Sequence, residues 1–213
     1  MYKLYNVKRW GSMAVQMMLE ELGVPYENVW MTSEQVKAPE FRDVSPLGYI
    51  PALGVAGGDS LFESAAIIAF LATAHPESGL SPPPGTPKFG DFLSWLNFMS
   101  TNIYPAVDLA GGHEASLAAN PAHARHLEKA GREKLARLFG IVEKRLQHDG
   151  PMLMGENYSA LDPYLLMLTV WATPSERHVH EEFPAISKLC NAVRQRPRLK
   201  AVLDAHEIAV VAA

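Results

Sequence analysis

The chain has 213 residues, 48% of them hydrophobic and 20% charged, with a net charge of −4 and one cysteine, Cys190. This composition is typical of a folded globular protein, and the slight acidity gives no basic footprint for nucleic acid. A single cysteine excludes an internal disulfide, a CxxC redox pair and a cysteine-based zinc site. No apolar run is long enough to span a bilayer, and the first residues lack a signal-peptide pattern. We therefore expect a cytoplasmic protein that does not bind membranes.

The first half of the chain alternates between strand and helix patterns. We predict strands at 4–7, 26–31, 51–55 and 60–62, helices at 13–22 and 64–74, and a short irregular helix around Phe41. Gly23 and Pro25 stop the first helix, and Gly57 begins a hairpin turn. The order β-α-β-α-β-β-α predicts a small mixed sheet with an early parallel pair and a late antiparallel pair.

A proline-rich segment separates this half from an all-helical one. Residues 75–87 hold five prolines and two glycines, a density that neither helix nor strand interior tolerates. Beyond it, apolar residues recur at helical spacing over 89–109, 123–147, 159–172, 184–194 and 197–205. We therefore predict an α/β domain at 1–76, a linker at 77–88 and an all-α bundle at 89–213.

Three local patterns in the first half favour ligand binding. Ser12 is the expected N-cap of the first helix, where a hydroxyl near the helix dipole can donate to a thiolate. Pro51 at a strand entrance is a candidate cis proline, which would expose the main chain of Ile50 to an extended, peptide-like ligand. Ser64 is the expected N-cap of a buried helix whose N-terminus suits a carboxylate, while Glu63 suits an ammonium group.

Each pattern also has a structural interpretation, and taken alone that interpretation is the commoner case. Pro51 can be an ordinary trans proline, and Ser12 and Ser64 can be plain helix caps. The pair His178 and His180 suggests a metal site. However, residues at i and i+2 do not share a helix face and a third ligand is lacking, so we expect a solvated loop and no metal.

Three segments in fixed order carry a resemblance to a known family. They are LEELGVPYE at 19–27, SPLGYIPAL at 45–53 and LFESAAIIAFL at 61–71. Together they resemble the thioredoxin-like domain of cytosolic glutathione S-transferases. YSALDPYL at 158–165 looks like the N-capping box in the helical domain of that family, and residues 95–97 and 168–172 look most like bacterial beta-class members. The resemblance covers residues 4 to about 208.

The resemblance implies that glutathione is a co-substrate and that the protein is a homodimer. Ile50, next to a cis Pro51, would bind the cysteinyl backbone, and Glu63 with Ser64 would hold the γ-glutamyl end. Lys37 would lie near the glycyl carboxylate. The implied glutathione-binding residues are Tyr49, Ile50, Pro51, Glu63, Ser64 and Asn97, the last of them acting across the dimer.

The chain departs from the family at the position that activates the thiol. Beta-class members have a cysteine where this chain has Gly11, and theta- and zeta-like members have a serine where it has Arg9. Tyr5 is one or two positions from the tyrosine of other classes, so Ser12 is predicted as the catalytic hydroxyl. Tyr104 replaces a family histidine and is the second predicted catalytic residue. The electrophile is expected between the domains, against Trp10, Tyr104, Val107 and Trp171.

Three functions stay open at this point. The first is transfer of glutathione to a small hydrophobic electrophile. The second is another glutathione chemistry on the same fold, such as peroxide reduction, isomerisation or reductive cleavage. The third is a non-catalytic binding protein, which the retained Ile50-Pro51 and Glu63-Ser64 pairs disfavour.

Overall fold

The computed structural model describes residues 1–112 and 120–208, which form two compact units. Of the described residues, the first unit contains Met1–Thr86 and also 194–208, and the second contains the helices between them. The predicted linker therefore leads into the second unit at Pro87. The end of the chain differs from the prediction, since the segment after Arg194 groups with the sheet and not with the helical bundle. Residues 113–119 and 209–213 of the predicted bundle lie outside the described residues.

The first unit has the predicted order of strands and helices. Its elements are β1 (Tyr2–Asn6), α1 (Ser12–Leu22), β2 (Tyr26–Trp30), α2 (Ser33–Lys37), a 3₁₀ turn (Pro39–Asp43), β3 (Ala52–Gly54), β4 (Leu61–Phe62) and α3 (Ser64–Ala74). Gly23 ends α1 in a left-handed conformation with φ 67°, which glycine adopts without a Cβ penalty.

The sheet has the order β2-β1-β3-β4. β1 runs parallel to β2 and antiparallel to β3, and the β3–β4 hairpin is antiparallel. The small mixed sheet predicted from the alternating pattern is therefore confirmed. Because β1 is central, the loop that follows it opens at the middle of the sheet edge and leads directly into α1.

Alternating side chains of β1 serve two different layers. Leu4 is fully buried, and Asn6 donates to Gln16 of α1 over 2.7 Å, so this face of the strand meets α1. Tyr5 packs edge-on against Phe41 at 5.7 Å in a cluster on the other face. Helical segments thus cover both faces of the sheet, as a largely buried sheet requires.

The second unit is helical, as predicted. It contains α4 (Pro87–Phe98), a π turn (Met99–Ile103), α5 (Tyr104–Ala110), α6 (Pro121–Asp149), α7 (Leu161–Val170), α8 (Glu176–Glu182) and α9 (Pro184–Arg194), and the chain then continues through a 3₁₀ turn (Pro197–Leu199) into α10 (Lys200–Ala205) in the first unit. None of the described helices combines the length and the apolar character needed to cross a bilayer.

One expectation about this unit was wrong. The segment around His178 and His180 is helix α8 and not a loop, because the Ser175 hydroxyl caps it by accepting from the His178 backbone N–H at 3.2 Å. The two histidines face different partners one turn away. His178 lies 3.3 Å from Glu182, and His180 lies 3.6 Å from Glu176. Within the described residues, no group of three metal-binding side chains forms.

Helix α7 is the centre of the second unit, since all its residues from Leu161 to Thr169 are buried. Its entrance is held by Asp162, which is fully buried. The carboxylate accepts from the Ser159 backbone N–H at 2.6 Å and from the Leu153 backbone N–H at 2.9 Å. The half of the predicted capping box in which the carboxylate reaches back is therefore confirmed, and the Ser159 hydroxyl accepts from the N–H of Leu161 at 3.3 Å.

Candidate functional site

The loop that joins β1 to α1, residues 8–11, carries the first group of predicted site residues. Gly11 is the N-cap of α1 and no side chain caps the helix, so the prediction that Ser12 is the N-cap was wrong. Ser12 is instead the first helical residue and is fully buried. Its hydroxyl accepts from the Val7 N–H at 3.2 Å and donates to the Val7 carbonyl at 3.3 Å. This placement leaves the predicted catalytic role of Ser12 without geometric support.

Replacing Ser12 by alanine is expected to lower the free energy of unfolding by about 1–2 kcal/mol, because the buried N–H of Val7 loses its acceptor. The Val7 carbonyl keeps the hydrogen bond from the Trp10 N–H at 3.1 Å. The change is measured by urea denaturation, with unfolding monitored by circular dichroism. Ser33→Ala is the matched control, since the Ser33 hydroxyl bonds Glu34 at the surface, and it should change stability by less than about 0.5 kcal/mol. Equal losses in the two variants would contradict the assigned role of the Ser12 hydroxyl.

The entrance of β3 carries the second group. The Ile50–Pro51 peptide bond is cis, as predicted. β3 itself begins at Ala52, so Ile50 lies before the strand ladder. Among the described residues, its backbone N–H and C=O have no hydrogen-bond partner, although its side chain is buried. Tyr49 beside it is 68% exposed. This stretch offers a main-chain donor and acceptor just before the start of β3.

The start of α3 carries the third group. The N-cap of α3 is Glu63 and not Ser64, which is the first helical residue and is buried. Glu63 has φ 67° and ψ 113°, a conformation that a residue with a Cβ rarely adopts and that costs on the order of 1–3 kcal/mol. Its exposed carboxylate stands beside the first turn of an 11-residue helix, and the N–H groups at a helix start attract anions because they lack partners within the helix.

Tyr5, the alternative hydroxyl, lies on the face of the sheet that does not meet α1. Its ring packs against Phe41, and the ammonium group of Lys3 lies 5.6 Å from the ring centroid. The tyrosine is therefore oriented away from the 8–11 loop by the alternation of β1.

The remaining predicted residues lie in the second unit. Asn97 is exposed on α4, and its amide donates to the Leu93 carbonyl of the same helix at 2.8 Å. Tyr104 begins α5 and meets Trp171 edge-on at 5.3 Å, so the structure brings this predicted pair together. Val107 is only 3% exposed. Its side chain belongs to the core, where it offers almost no surface to a substrate.

A buried polar network next to α1 was not predicted. His206, near the end of the described chain, is fully buried, and its ring Nε2 lies 2.9 Å from Oε1 of Gln16. Gln16 also binds Asn6 and the hydroxyl of Tyr26, which donates to Glu20 at 2.6 Å. The polar residues Asn6 and Gln16, each placed within an apolar strand or helix pattern, are the sequence signal that points to such a network.

Two family models match successive parts of the chain. Residues 12–79 match the N-terminal domain of glutathione S-transferases, and residues 115–206 match the C-terminal domain. The chain belongs to the glutathione S-transferase family. A glutathione transferase from Methylococcus capsulatus has the same fold with a TM-score of 0.83 and is 31% identical, over 98% of this chain and 100% of that one.

Two further transferases of known structure are similar over nearly the full length. A sphingomonad glutathione S-transferase complexed with glutathione is 27% identical, over 97% of this chain and 100% of its own, with a TM-score of 0.81. The beta-class enzyme from Sphingomonas chungbukensis is 25% identical over the same shares, also with a TM-score of 0.81. The resemblance inferred from the three sequence segments, including its beta-class neighbours, is thus confirmed.

Proposed function

We propose that this glutathione S-transferase homologue binds glutathione and transfers it to a small hydrophobic electrophile. The observation that carries the proposal is the strained backbone of Glu63, the exposed N-cap residue of α3. Non-glycine residues persist in such conformations where function requires them. A structural relative crystallised with glutathione, similar over 97% of this chain, supports glutathione as the ligand.

The γ-glutamyl end of glutathione suits the start of α3. It carries one ammonium and one carboxylate group, and α3 offers the complementary pair. The Glu63 carboxylate would accept from the ammonium group, while the first-turn N–H groups and the Ser64 hydroxyl would bind the carboxylate. The cysteinyl part would extend along Ile50 and pair with its main-chain N–H and C=O, as an added strand does.

We assign thiol activation to the start of α1 and not to a side-chain hydroxyl. The Ser12 hydroxyl is committed to Val7, and Tyr5 is oriented to the other face. Three features near this loop would attract a thiolate anion. They are the positive end of the α1 dipole, the backbone N–H groups of Gly11 and Ser12, and the guanidinium of Arg9. An attraction of about 1.4 kcal/mol lowers a thiol pKa by about one unit from its usual value near 8.5.

The reaction then follows from the thiolate. Its sulfur attacks the electrophilic carbon of an aryl halide, a C–S bond forms, and the halide leaves with the bonding electrons. Trp10, 38% exposed in the 8–11 loop, is the proposed apolar contact for the electrophile. Tyr104 and Trp171 stay predicted contacts. The protein contributes positioning and electrostatic stabilisation, which are the main sources of catalysis for a pre-formed nucleophile.

The proposal is tested by titrating glutathione into wild type, Glu63→Gln and Glu63→Gly. We expect Glu63→Gln to weaken binding at least about tenfold, because the ammonium group loses a charged partner. Glu63→Gly should weaken binding equally but raise the free energy of unfolding by about 1 kcal/mol, because glycine adopts this conformation without strain. Binding is measured by calorimetry and conjugation by the absorbance of an aryl-halide product.

The control is Glu40→Gln, a change at an exposed carboxylate of the same unit that is not among the residues with positive φ. It should leave both affinity and stability unchanged. Absence of glutathione binding to the wild type would overturn the proposal. Binding without conjugation would leave the ligand assigned and overturn the transferase reaction.

A further inference from the structure

The segment from Arg194 to Ile208 holds α1 at both of its ends. Near the C-terminal end, Arg196 forms two hydrogen bonds with Glu21, whose side chain is only 3% exposed. Arg198 donates to the backbone carbonyls of Glu20 and Glu21 in the last turn of α1. Near the N-terminal end, His206 meets the 8–11 loop. One short C-terminal segment thereby fixes the whole helix.

His206 makes a specific contact with the main chain of this loop. The Arg9 backbone N–H donates to the ring Nδ1 at 2.9 Å. Nδ1 must therefore be the unprotonated nitrogen, so Nε2 carries the hydrogen and donates to Gln16. The ring also lies against Trp30, with 5.3 Å between the ring centroids. The imidazole is thus held in one tautomer and one orientation.

Arg9 is the residue of the loop that needs such an anchor. Its φ is 63°, so its backbone is in the left-handed region that residues with a Cβ avoid. A strained conformation persists only where neighbouring contacts over-determine it. Besides His206, the contacts at this point include the ion pair of Lys8 with Glu207 and the bond from the Arg9 guanidinium to the Glu207 carbonyl. These two contacts are exposed at the surface, whereas His206 is buried.

We infer that His206 is a positioning residue that fixes the 8–11 loop in the conformation that presents the start of α1 to the glutathione thiol. This inference rests on the proposed function. His206 does not touch the substrate in this role. It acts through the Arg9 backbone, and its effect should fall on thiol activation and not on binding of the γ-glutamyl end, which Glu63 and Ser64 hold.

Two amide variants separate the positioning role from a merely structural one. In His206→Asn, the side-chain oxygen occupies the place of Nδ1 and can still accept from Arg9, while the contact with Gln16 is lost. In His206→Gln, the amide reaches the place of Nε2 and can still bind Gln16, while Arg9 loses its acceptor. Both variants remove the ring and its packing on Trp30, so they differ only in one methylene group and in which polar contact is retained.

The readouts are the pKa of the bound thiol and kcat/KM with an aryl halide. The thiol pKa is obtained from thiolate absorbance and from the pH profile of kcat/KM. We expect His206→Gln to raise this pKa by about one unit and to lower kcat/KM at pH 7 about tenfold, with glutathione affinity changed less than about threefold. We expect His206→Asn to keep the thiol pKa and at least about a third of the kcat/KM.

The outcomes distinguish this inference from the proposed function. Equal thiol pKa values in the two variants would overturn the positioning role, even where both variants lose stability. Failure of the wild type to bind glutathione would overturn the proposed function. In that case, hydrogen exchange at the Arg9 amide still tests the anchor: protection should be lost in His206→Gln and kept in His206→Asn, and equal exchange rates would refute it.

Discussion

Replacing Asp162 by alanine is expected to lower the free energy of unfolding by about 3–5 kcal/mol. The carboxylate is fully buried and accepts from the backbone N–H groups of Ser159 and Leu153 and from the Ser159 hydroxyl. Its removal leaves several buried donors unpaired next to the most buried helix of the second unit, and each such donor costs about 1–3 kcal/mol.

The measurement is guanidinium denaturation of Asp162→Ala beside Asp162→Asn and Ser159→Ala. The asparagine keeps one acceptor oxygen and should lose roughly half as much stability as the alanine. Ser159→Ala retains both backbone bonds to the carboxylate and should lose about 1 kcal/mol. A loss below about 1 kcal/mol in Asp162→Ala would mean that other groups satisfy these donors and that the carboxylate does not hold the entrance of α7.

Acidification from pH 6.5 to pH 4 is expected to remove on the order of 3 kcal/mol of stability through His206 alone. Burial, with the charges of Lys8 and Arg9 close by, lowers the pKa of His206 to about 4 from its ordinary value of 6.5. Above pH 6.5, the imidazole is neutral in both the folded and the unfolded chain and contributes no pH dependence. As the pH falls below 6.5, His206 becomes protonated in the unfolded chain, whereas in the folded chain it stays neutral until about pH 4.

The free energy of unfolding, measured at half-unit steps between pH 7.5 and 4, tests this expectation. His206→Asn is the control, because asparagine does not titrate. The two curves should run parallel above pH 6.5. Below that pH, the free energy of unfolding of the wild type should fall more steeply than that of the variant, with a difference in slope that corresponds to at most one additional proton bound by the unfolded chain. Parallel curves over the whole range would contradict a buried, neutral His206 in the folded state.

The sequence predicted the order of elements because their signals are local. Helix α3 was bounded correctly at Ser64–Ala74 by its unbroken apolar run, and Gly23 marked the end of α1. The Ile50-Pro51 pair and the Glu63-Ser64 pair were also located correctly as features of the fold. Short-range patterns located the helix N-caps less well. Ser12 and Ser64 were predicted as N-caps, but each is the first helical residue, and Gly11 and Glu63 occupy the N-cap positions.

The sequence by itself therefore determined the two-unit fold class and the family, and it predicted where a ligand would meet the sheet unit. Only the tertiary structure decided that the Ser12 hydroxyl is bound to Val7 and that His206 is buried against Arg9 and Gln16. The reason is sequence separation. His206 and Arg9 lie 197 positions apart in the chain. A hydrogen bond between them produces no periodic pattern in the sequence of either segment. The contact between His206 and the 8–11 loop therefore cannot be predicted from the sequence and is seen only in the folded structure.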